Sequence, residues 1–419
     1  MSNKKNILVV CHFFPPFNTI ATYRALHWVK YWLKDGHKVT VITTKKYGFE
    51  GPLDIKHIEH DNLDIYEVDY LPKFISKKIK SKSDLKTSTV PTKKNKFFNM
   101  LRGVFGGFAD YTLLSVPYLV RKLKQIDKDG GFDFIISSYG PSSVHIAVSI
   151  WLRKNNIKWI ADYRDLWSQN HLPERPKLTR FIEKRTEQYV LKNASALTTI
   201  SEGLKQNLEQ LVDFRKHVSV VQNGFDPDEF NNLVTGKKVE ELEPGKLNIV
   251  YAGMIYPGRR DPTPLFDVIK KYNLSDKVVV HFFGSKMNGI ESSANELLQN
   301  GAVKIHGYRE RGYILNVLRQ SDTLLFLESG DDDAKGVLTG KIFEYIASNT
   351  PILALGVRKG FESASLIEMT GTGLVSENDE MKILEYLNEP SLFYNPNKEL
   401  INTLNRRSQA LEIINLASS

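Results

Sequence analysis

The sequence predicts an α/β protein with two tandem domains, each built on a parallel sheet. Three observations carry the prediction. Short β-rich apolar runs alternate with helical patterns along a chain of 419 residues. The alternation begins afresh after a polar stretch, Asn231 to Lys246, that ends in Pro244-Gly245. The length suits roughly two or three domains of ordinary size.

Asn6 to His12 (NILVVCH) reads as the first strand, followed by a loop with Pro15-Pro16. Tyr23 to Lys34 has helical periodicity through Leu26, Val29 and Leu33, and Gly36 suits a left-handed cap. Lys38 to Thr43 is the next strand, which completes a βαβ unit. Phe132–Ser137, Lys158–Asp162, Ala196–Ile200 and Val218–Val221 continue the first sheet. In the second half, Leu247–Ala252, Lys277–Phe283, Val303–His306, Thr323–Leu327 and Ile352–Leu355 read as buried strands. Lys398 to Leu416 is helical. The expected division is an N-terminal domain 1–230 with an insertion at 73–120, a linker 231–246, a C-terminal domain 247–397 and a final helix 398–419. The two sheets would present the carboxyl ends of their strands across a cleft.

Composition narrows the function. At 41% hydrophobic residues the chain fills real cores, which excludes a disordered or fibrous class. The single Cys11 excludes an intrachain disulfide and a cysteine zinc site, and fits a reducing compartment. No signal peptide follows Met1, and no apolar run is long enough to span a bilayer. A cytoplasmic protein is expected. The formal charge of +9 is local, because Lys73 to Lys96 holds nine Lys and only Asp84 as an acid. That argues against a nucleic-acid binder. Phe97 to Val120 comes next and is aromatic and apolar. A polybasic loop beside an apolar stretch suits an anionic membrane surface; a solvated insertion and a core helix are the plain alternatives.

The chemistry concentrates in a few segments. In Lys335 to Gly356 the pair Gly340-Lys341 opens a helical pattern that carries Glu344. Open N–H groups at a helix start and a Lys beside them make an anion site. Glu344, one turn on, is placed to accept hydrogen bonds from vicinal hydroxyls. Diphosphate beside ribose is a nucleotide sugar; the plain alternative is an amphipathic helix with an exposed Lys. Gly253 to Pro262 (GMIYPGRRDP) comes after a strand, and Arg259 or Arg260 could pair with a phosphate. It is neither a P-loop nor a dinucleotide fingerprint. Ala161 to Trp167 (ADYRDLW) ends a strand with Asp162, Arg164 and Asp165, which could bind sugar hydroxyls or form an ion-pair network. Ser201 is a good N-cap, and Asn223-Gly224 a turn. Asp331-Asp332-Asp333 has the look of an acidic metal motif but reads better as a solvated loop. The ten His show no ligand spacing, and no metal site is expected.

These segments together resemble glycosyltransferase family 4, over about residues 5 to 415. The Lys335–Gly356 segment is similar to the family variant that reads Gly-x-x-Pro-x-Lys-x-x-Glu-Tyr. Thr339 replaces its Pro, and the first glutamate of the commoner two-glutamate form would fall at Gly336. The loop after Gly253 resembles the family's diphosphate loop, with Arg259 at its basic position. Arg24 stands where the family's first helix bears an Arg, but Ile20, Ala21 and Thr22 replace the usual glycines of the first loop. Arg164 takes the place of the family's more common His, so a His general base is absent there.

The resemblance implies a GT-B fold, two Rossmann-like domains facing across a cleft, with the last helix crossing back to the first domain. It implies a retaining, metal-independent transfer of a hexose or N-acetylhexosamine. Arg259, Arg260, Gly253, Gly340 and Lys341 would hold the diphosphate, and Glu344 the ribose. Asp162, Arg164 and Asp165 would be catalytic, with Arg24 and Thr22 in the first loop. The implied acceptor is a glycan or lipid-linked saccharide of a bacterial capsule, O-antigen or exopolysaccharide, met by a cytoplasmic enzyme at the inner membrane face. The rival reading is a non-catalytic scaffold or partner-binding subunit on the same fold; a sugar-phosphate or epimerase activity is a further rival.

Overall fold

A computed structural model describes residues 4–47, 52–69, 111–127, 131–170, 176–233, 238–255, 259–284, 291–331 and 338–418. The chain forms two compact units, Met1–Gln222 with Gln409–Ser419, and Asn223–Ser408.

The first unit holds strands β1 (Asn6–Cys11), β2 (Lys38–Thr44), β3 (Leu63–Val68), β4 (Phe134–Ser138), β5 (Lys158–Tyr163), β6 (Ala196–Thr199) and β7 (His217–Val220). They make one parallel sheet in the order β3-β2-β1-β4-β5-β6-β7. Helices on both faces bury it, which is why Ile7 to Val10 and Phe134 to Ile136 are continuous apolar runs. Helix Ile20–Lys34 lays Ala25, Trp28, Val29 and Trp32 on one face. The last helix, Arg406–Ser418, adds Ala410, Ile413, Ile414 and Ala417 to that core, and Trp32 Nε1 donates to the Ala410 carbonyl at 2.8 Å. The chain thus returns to its first unit at the end.

The second unit holds β8 (Leu247–Ala252), β9 (Val278–Phe283), β10 (Val303–Gly307), β11 (Thr323–Leu327), β12 (Ile352–Leu355) and β13 (Gly373–Val375). Its parallel sheet runs β10-β9-β8-β11-β12-β13. Both sheets therefore repeat the dinucleotide-fold order. Each reverses direction once, between β1 and β4 and between β8 and β11, and ligands of such sheets sit beyond the carboxyl ends of the strands at that reversal.

The structure adds to and corrects the sequence reading. Edge strands β3 and β13 were not expected. The passage between units falls after Gln222, ahead of the expected linker. Among the described residues of 231–246, Val239 is buried with Phe225, Phe230 and Leu315, and Glu243 N donates to Asn248 Oδ1 at 2.7 Å, so this stretch packs within the second unit. The lysine-rich segment Lys73–Lys96 and the apolar stretch as far as residue 110 lie outside the described residues. Beyond residue 110 come a 3-10 turn, Tyr111–Ser115, and helix Val116–Ile126, whose Leu119, Leu123 and Ile126 enter the core. Among the described residues no helix is long and apolar enough to cross a membrane.

Candidate donor and acceptor sites

In the second unit the β8 loop and helix Gly340–Ala347 come together at the sheet reversal. Gly253 has φ +137°, and its N–H donates to the Phe283 carbonyl at 2.8 Å. A Cβ at this position would overlap Lys341 Nζ. Glycine is thus needed both for the backbone angle and for the approach of the lysine. The ammonium also lies 4.2 Å from the centroid of the Tyr251 ring. Two tyrosines fix the geometry. Tyr345 Oη accepts from Ala252 N at 3.0 Å, tying the helix to the loop, and Tyr251 Oη donates to the Met254 carbonyl at 2.8 Å. Arg260 Nη1 donates to the same carbonyl at 3.2 Å.

Two cations, Lys341 and Arg260, lie close enough here to act on each other. Burial, and then the neighbouring Arg260 cation, push the Lys341 ammonium down to about 7, with Glu344 opposing. Glu344 is half-buried one turn on, and its Oε1 accepts from Arg311 Nη2 at 2.8 Å. Arg311 also forks onto Glu229, with Nε and Nη2 each at 2.7 Å from its carboxylate oxygens. This pairing holds the Glu344 carboxylate in one orientation by one of its two oxygens.

Arg259 lines an adjoining cavity of about 330 Å³ with Glu328, Gly330, Asp331, Gly356 and Arg358. Glu328, at the end of β11, is buried and accepts from Ser363 Oγ. Burial pushes its carboxyl up to about 7, against the Ser363 hydrogen bond and the Arg260 charge. Gly356 (φ +72°) admits the Glu328 carbonyl where a Cβ would overlap it. Sequence reading missed Glu328 and Arg311. The signal for Glu328 was a carboxylate closing the apolar run TLLFLE of a strand beside the reversal.

In the first unit, Arg24 and Asp162 meet each other rather than solvent. They are 1% and 0% exposed. Arg24 Nε is 3.0 Å from Asp162 Oδ2, and Nη2 is 2.6 Å from Oδ1. Arg24 Nη2 also donates to the Val221 carbonyl at 2.9 Å. Asp162 further accepts from Ser138 Oγ at 3.1 Å and Thr198 Oγ1 at 2.8 Å. Its acceptor capacity is filled from inside the wall of the unit. The expectation that Asp162 and Arg24 face a substrate is corrected accordingly: they pin β5 and helix Ile20–Lys34 together. Thr22 is also buried, with its hydroxyl 3.2 Å from Thr19 Oγ1.

Arg164 and Asp165 stand further out. Arg164 Nε and Nη2 reach Asp165 Oδ2 at 3.0 and 2.6 Å, and the Arg164 guanidinium lies 5.6 Å from the centroid of Phe13. Gly140 (φ +103°) packs so close that a Cβ would sit 3.3 Å from that ring. Two histidines nearby are not bases open to substrate. Burial pushes both His12 and His145 down to about 3, and they contact Thr44 Oγ1 at 2.6 Å and Ser137 Oγ at 2.8 Å. Ser201 caps its helix, as expected, by accepting from Leu204 N at 3.3 Å. Among the described residues no three His, Cys, Asp or Glu are grouped to hold a metal, and of the Asp331–Asp333 run only Asp331 is described.

Three comparisons bear on this geometry. The profile of Glycosyltransferase Family 4 matches residues 94–229. No curated protein matches the sequence. Solved structures match it end to end. A sucrose-phosphate synthase from Thermosynechococcus elongatus has a TM-score of 0.64 at 15% identity, covering 99% of this chain and 98% of that one. Anabaena Alr3699/HepE in complex with UDP has a TM-score of 0.60 at 15% identity, covering 99% of each chain. A UDP-N-acetylglucosamine 2-epimerase has a TM-score of 0.56 at 14% identity, covering 99% of this chain and 95% of that one. At such identities the likeness is one of fold. With two parallel sheets in the same order and a terminal helix returning to the first unit, the chain has the GT-B fold, and over residues 94–229 it matches Glycosyltransferase Family 4.

Proposed function

We propose that the protein is a retaining glycosyltransferase that binds a nucleotide sugar in its second unit. One observation carries the reading. The Lys341 ammonium is held in the first turn of helix Gly340–Ala347 against Gly253, where any side chain would collide with it, with Arg260 beside it and Glu344 one turn on. Cations fixed in a poorly hydrated site stabilise a departing diphosphate without reorganising. Arg259, Arg260 and Lys341 take the diphosphate, and the second oxygen of Glu344 takes ribose hydroxyls. No metal is required for this division of labour. The family 4 match and the UDP bound in the Anabaena structure support a nucleotide donor.

On the acceptor side Arg164 and Asp165 are the groups placed to meet hydroxyls, while Asp162 acts through Arg24 as a positioning residue. The transferred group is a hexose or N-acetylhexosamine. The acceptor is a glycan or lipid-linked saccharide of a bacterial surface polysaccharide, reached by a cytoplasmic enzyme at the inner face of the membrane.

The test is calorimetry with a panel of nucleotide sugars, followed by release of nucleoside diphosphate in the presence of acceptor saccharides. Lys341→Ala and Glu344→Ala should each weaken donor binding by about 1–3 kcal/mol. Unchanged affinity in both variants overturns the assignment. Epimerisation of the donor sugar without any transfer assigns the fold to the other chemistry found among its neighbours.

A further inference from the structure

Helix Lys177–Leu191 of the first unit turns its sequence inside out. Its inward face carries both of its acids, Glu183 and Glu187, together with Val190 and Leu191. Its outward face carries Leu178 (70% exposed), Phe181 (56%), Ile182 (46%) and Tyr189 (51%). At about 100° per residue these four side chains and Arg185 fall in one stripe roughly 100° wide. The stripe is set among cations. Lys177, Lys184 and Arg185 are exposed on the same helix. The Arg185 guanidinium lies 5.3 Å from the Phe181 ring centroid, and Arg153 and Lys192 lie 5.3 and 5.4 Å from that of Tyr189. Glu183 and Glu187 are buried, the latter accepting from Ser168 N at 3.0 Å, so the helix shows no carboxylate to the outside.

We propose that this face docks the first unit onto the surface of an anionic phospholipid bilayer. Apolar and aromatic side chains interleaved with Lys and Arg match the boundary between acyl chains and charged headgroups, where rings sit at headgroup depth. Inward-turned acids remove the repulsion that an anionic surface would otherwise meet. A second copy fits less well. A two-fold contact would gather the Lys177, Lys184 and Arg185 cations of both copies in one interface. The face is carried by helix Lys177–Leu191 of the first unit alone and shares no residue with the proposed donor site or with Lys73–Lys96, so it is tested apart from both.

The experiment is co-sedimentation of the full chain with vesicles of phosphatidylglycerol and phosphatidylcholine, and with vesicles of phosphatidylcholine alone. Three proteins are compared: wild type, a Leu178→Gln/Phe181→Gln/Ile182→Gln variant, and a variant with the lysines of Lys73–Lys96 replaced by Gln. Wild type should bind the anionic vesicles at about 0.1 M salt and much less at about 1 M, where screening reaches only a few ångströms. The triple variant should partition at least about tenfold more weakly, with unchanged circular dichroism and melting temperature. The lysine variant should keep a measurable share of binding. Donor affinity measured on the triple variant should be unchanged, which separates this inference from the donor-site reading. Wild type that ignores anionic vesicles at low salt overturns the proposal, as does a triple variant that binds them equally well. So does a wild-type dimer that the triple substitution converts to monomer in the absence of vesicles, because the face would then belong to a second copy.

Discussion

Raising the pH above 7 should release the nucleotide-sugar donor by discharging Lys341. The ammonium is pushed from an ordinary 10.5 to about 7, first by burial and then by Arg260. A lysine depressed in this way binds fewer protons folded than unfolded between those two values. The folded state is therefore penalised most below about pH 7, and the penalty fades as pH rises toward 10.5. Donor binding runs the other way. Two phosphate charges placed beside the ammonium favour its charged form and lift its pKa. Above pH 7 the free site is mostly neutral, so binding must take up a proton. Affinity then falls by up to about tenfold per pH unit, until the bound-state pKa is reached. Between pH 7 and 9 the loss approaches about 50-fold, or about 2.3 kcal/mol.

Calorimetry in two buffers of different ionisation enthalpy counts the protons. Lys341 should contribute about 0.5 proton at pH 7 and about 0.9 at pH 8, if the bound pKa lies well above 8. A nucleotide sugar has no phosphate proton to titrate in this range, so the ligand adds nothing. Glu328 does, because it is also held at about 7 in the cavity that Arg259 lines, and a nearby anion would favour its protonated form. Lys341→Met removes the first contribution and Glu328→Gln the second. The same proton count in wild type and Lys341→Met would refute the placement of the diphosphate at Lys341.

The same geometry fixes two other outcomes. Arg24→Ala or Asp162→Ala leaves the other charge buried and unpaired, and each should cost about 3–5 kcal/mol in urea unfolding, with the double variant costing less than the sum; a loss within error of zero would return both residues to the surface. Transfer should persist in EDTA, because the diphosphate charge is assigned to Arg259, Arg260 and Lys341; activity lost on chelation and restored by magnesium or manganese would bring the Asp331–Asp333 run back as a metal site.

What the sequence made readable, and what it hid, divides along a physical line. Strands covered on both faces announce themselves as unbroken apolar runs, and β8, β11 and β12 fall where the pattern puts them. Two of the four edge strands, β3 and β13, do not. The β3 sequence LDIYEV is largely exposed and carries Asp64 and Glu67, while β13 is three residues long and begins at Gly373, where a Cβ would overlap the Ile352 carbonyl.

Charged residues are harder still, because apolar periodicity is a local property and the partner of a charge is not. Arg24 sits near the start of its helix like any exposed arginine, yet the carboxylate that buries it lies 138 residues away on β5. Glu344 was readable as a carboxylate one turn from a helix start, but Arg311, which holds it, comes from a helix 33 residues earlier. The same holds in reverse for helix Lys177–Leu191. Its apolar positions have helical spacing, which ordinarily marks the buried face, and only the placement of Glu183 and Glu187 shows that face to be the outer one. Local pattern finds the Gly253 loop and helix Gly340–Ala347 as separate segments, and the pairing of β8 with β11 at the sheet reversal is what brings them together. Local pattern cannot assign a charge to wall or surface. Each charged group of the proposed sites has to be argued from its partners, which is why Asp162 moves from the chemistry to its support while Lys341, held against the Gly253 backbone, remains where the donor's charge would fall.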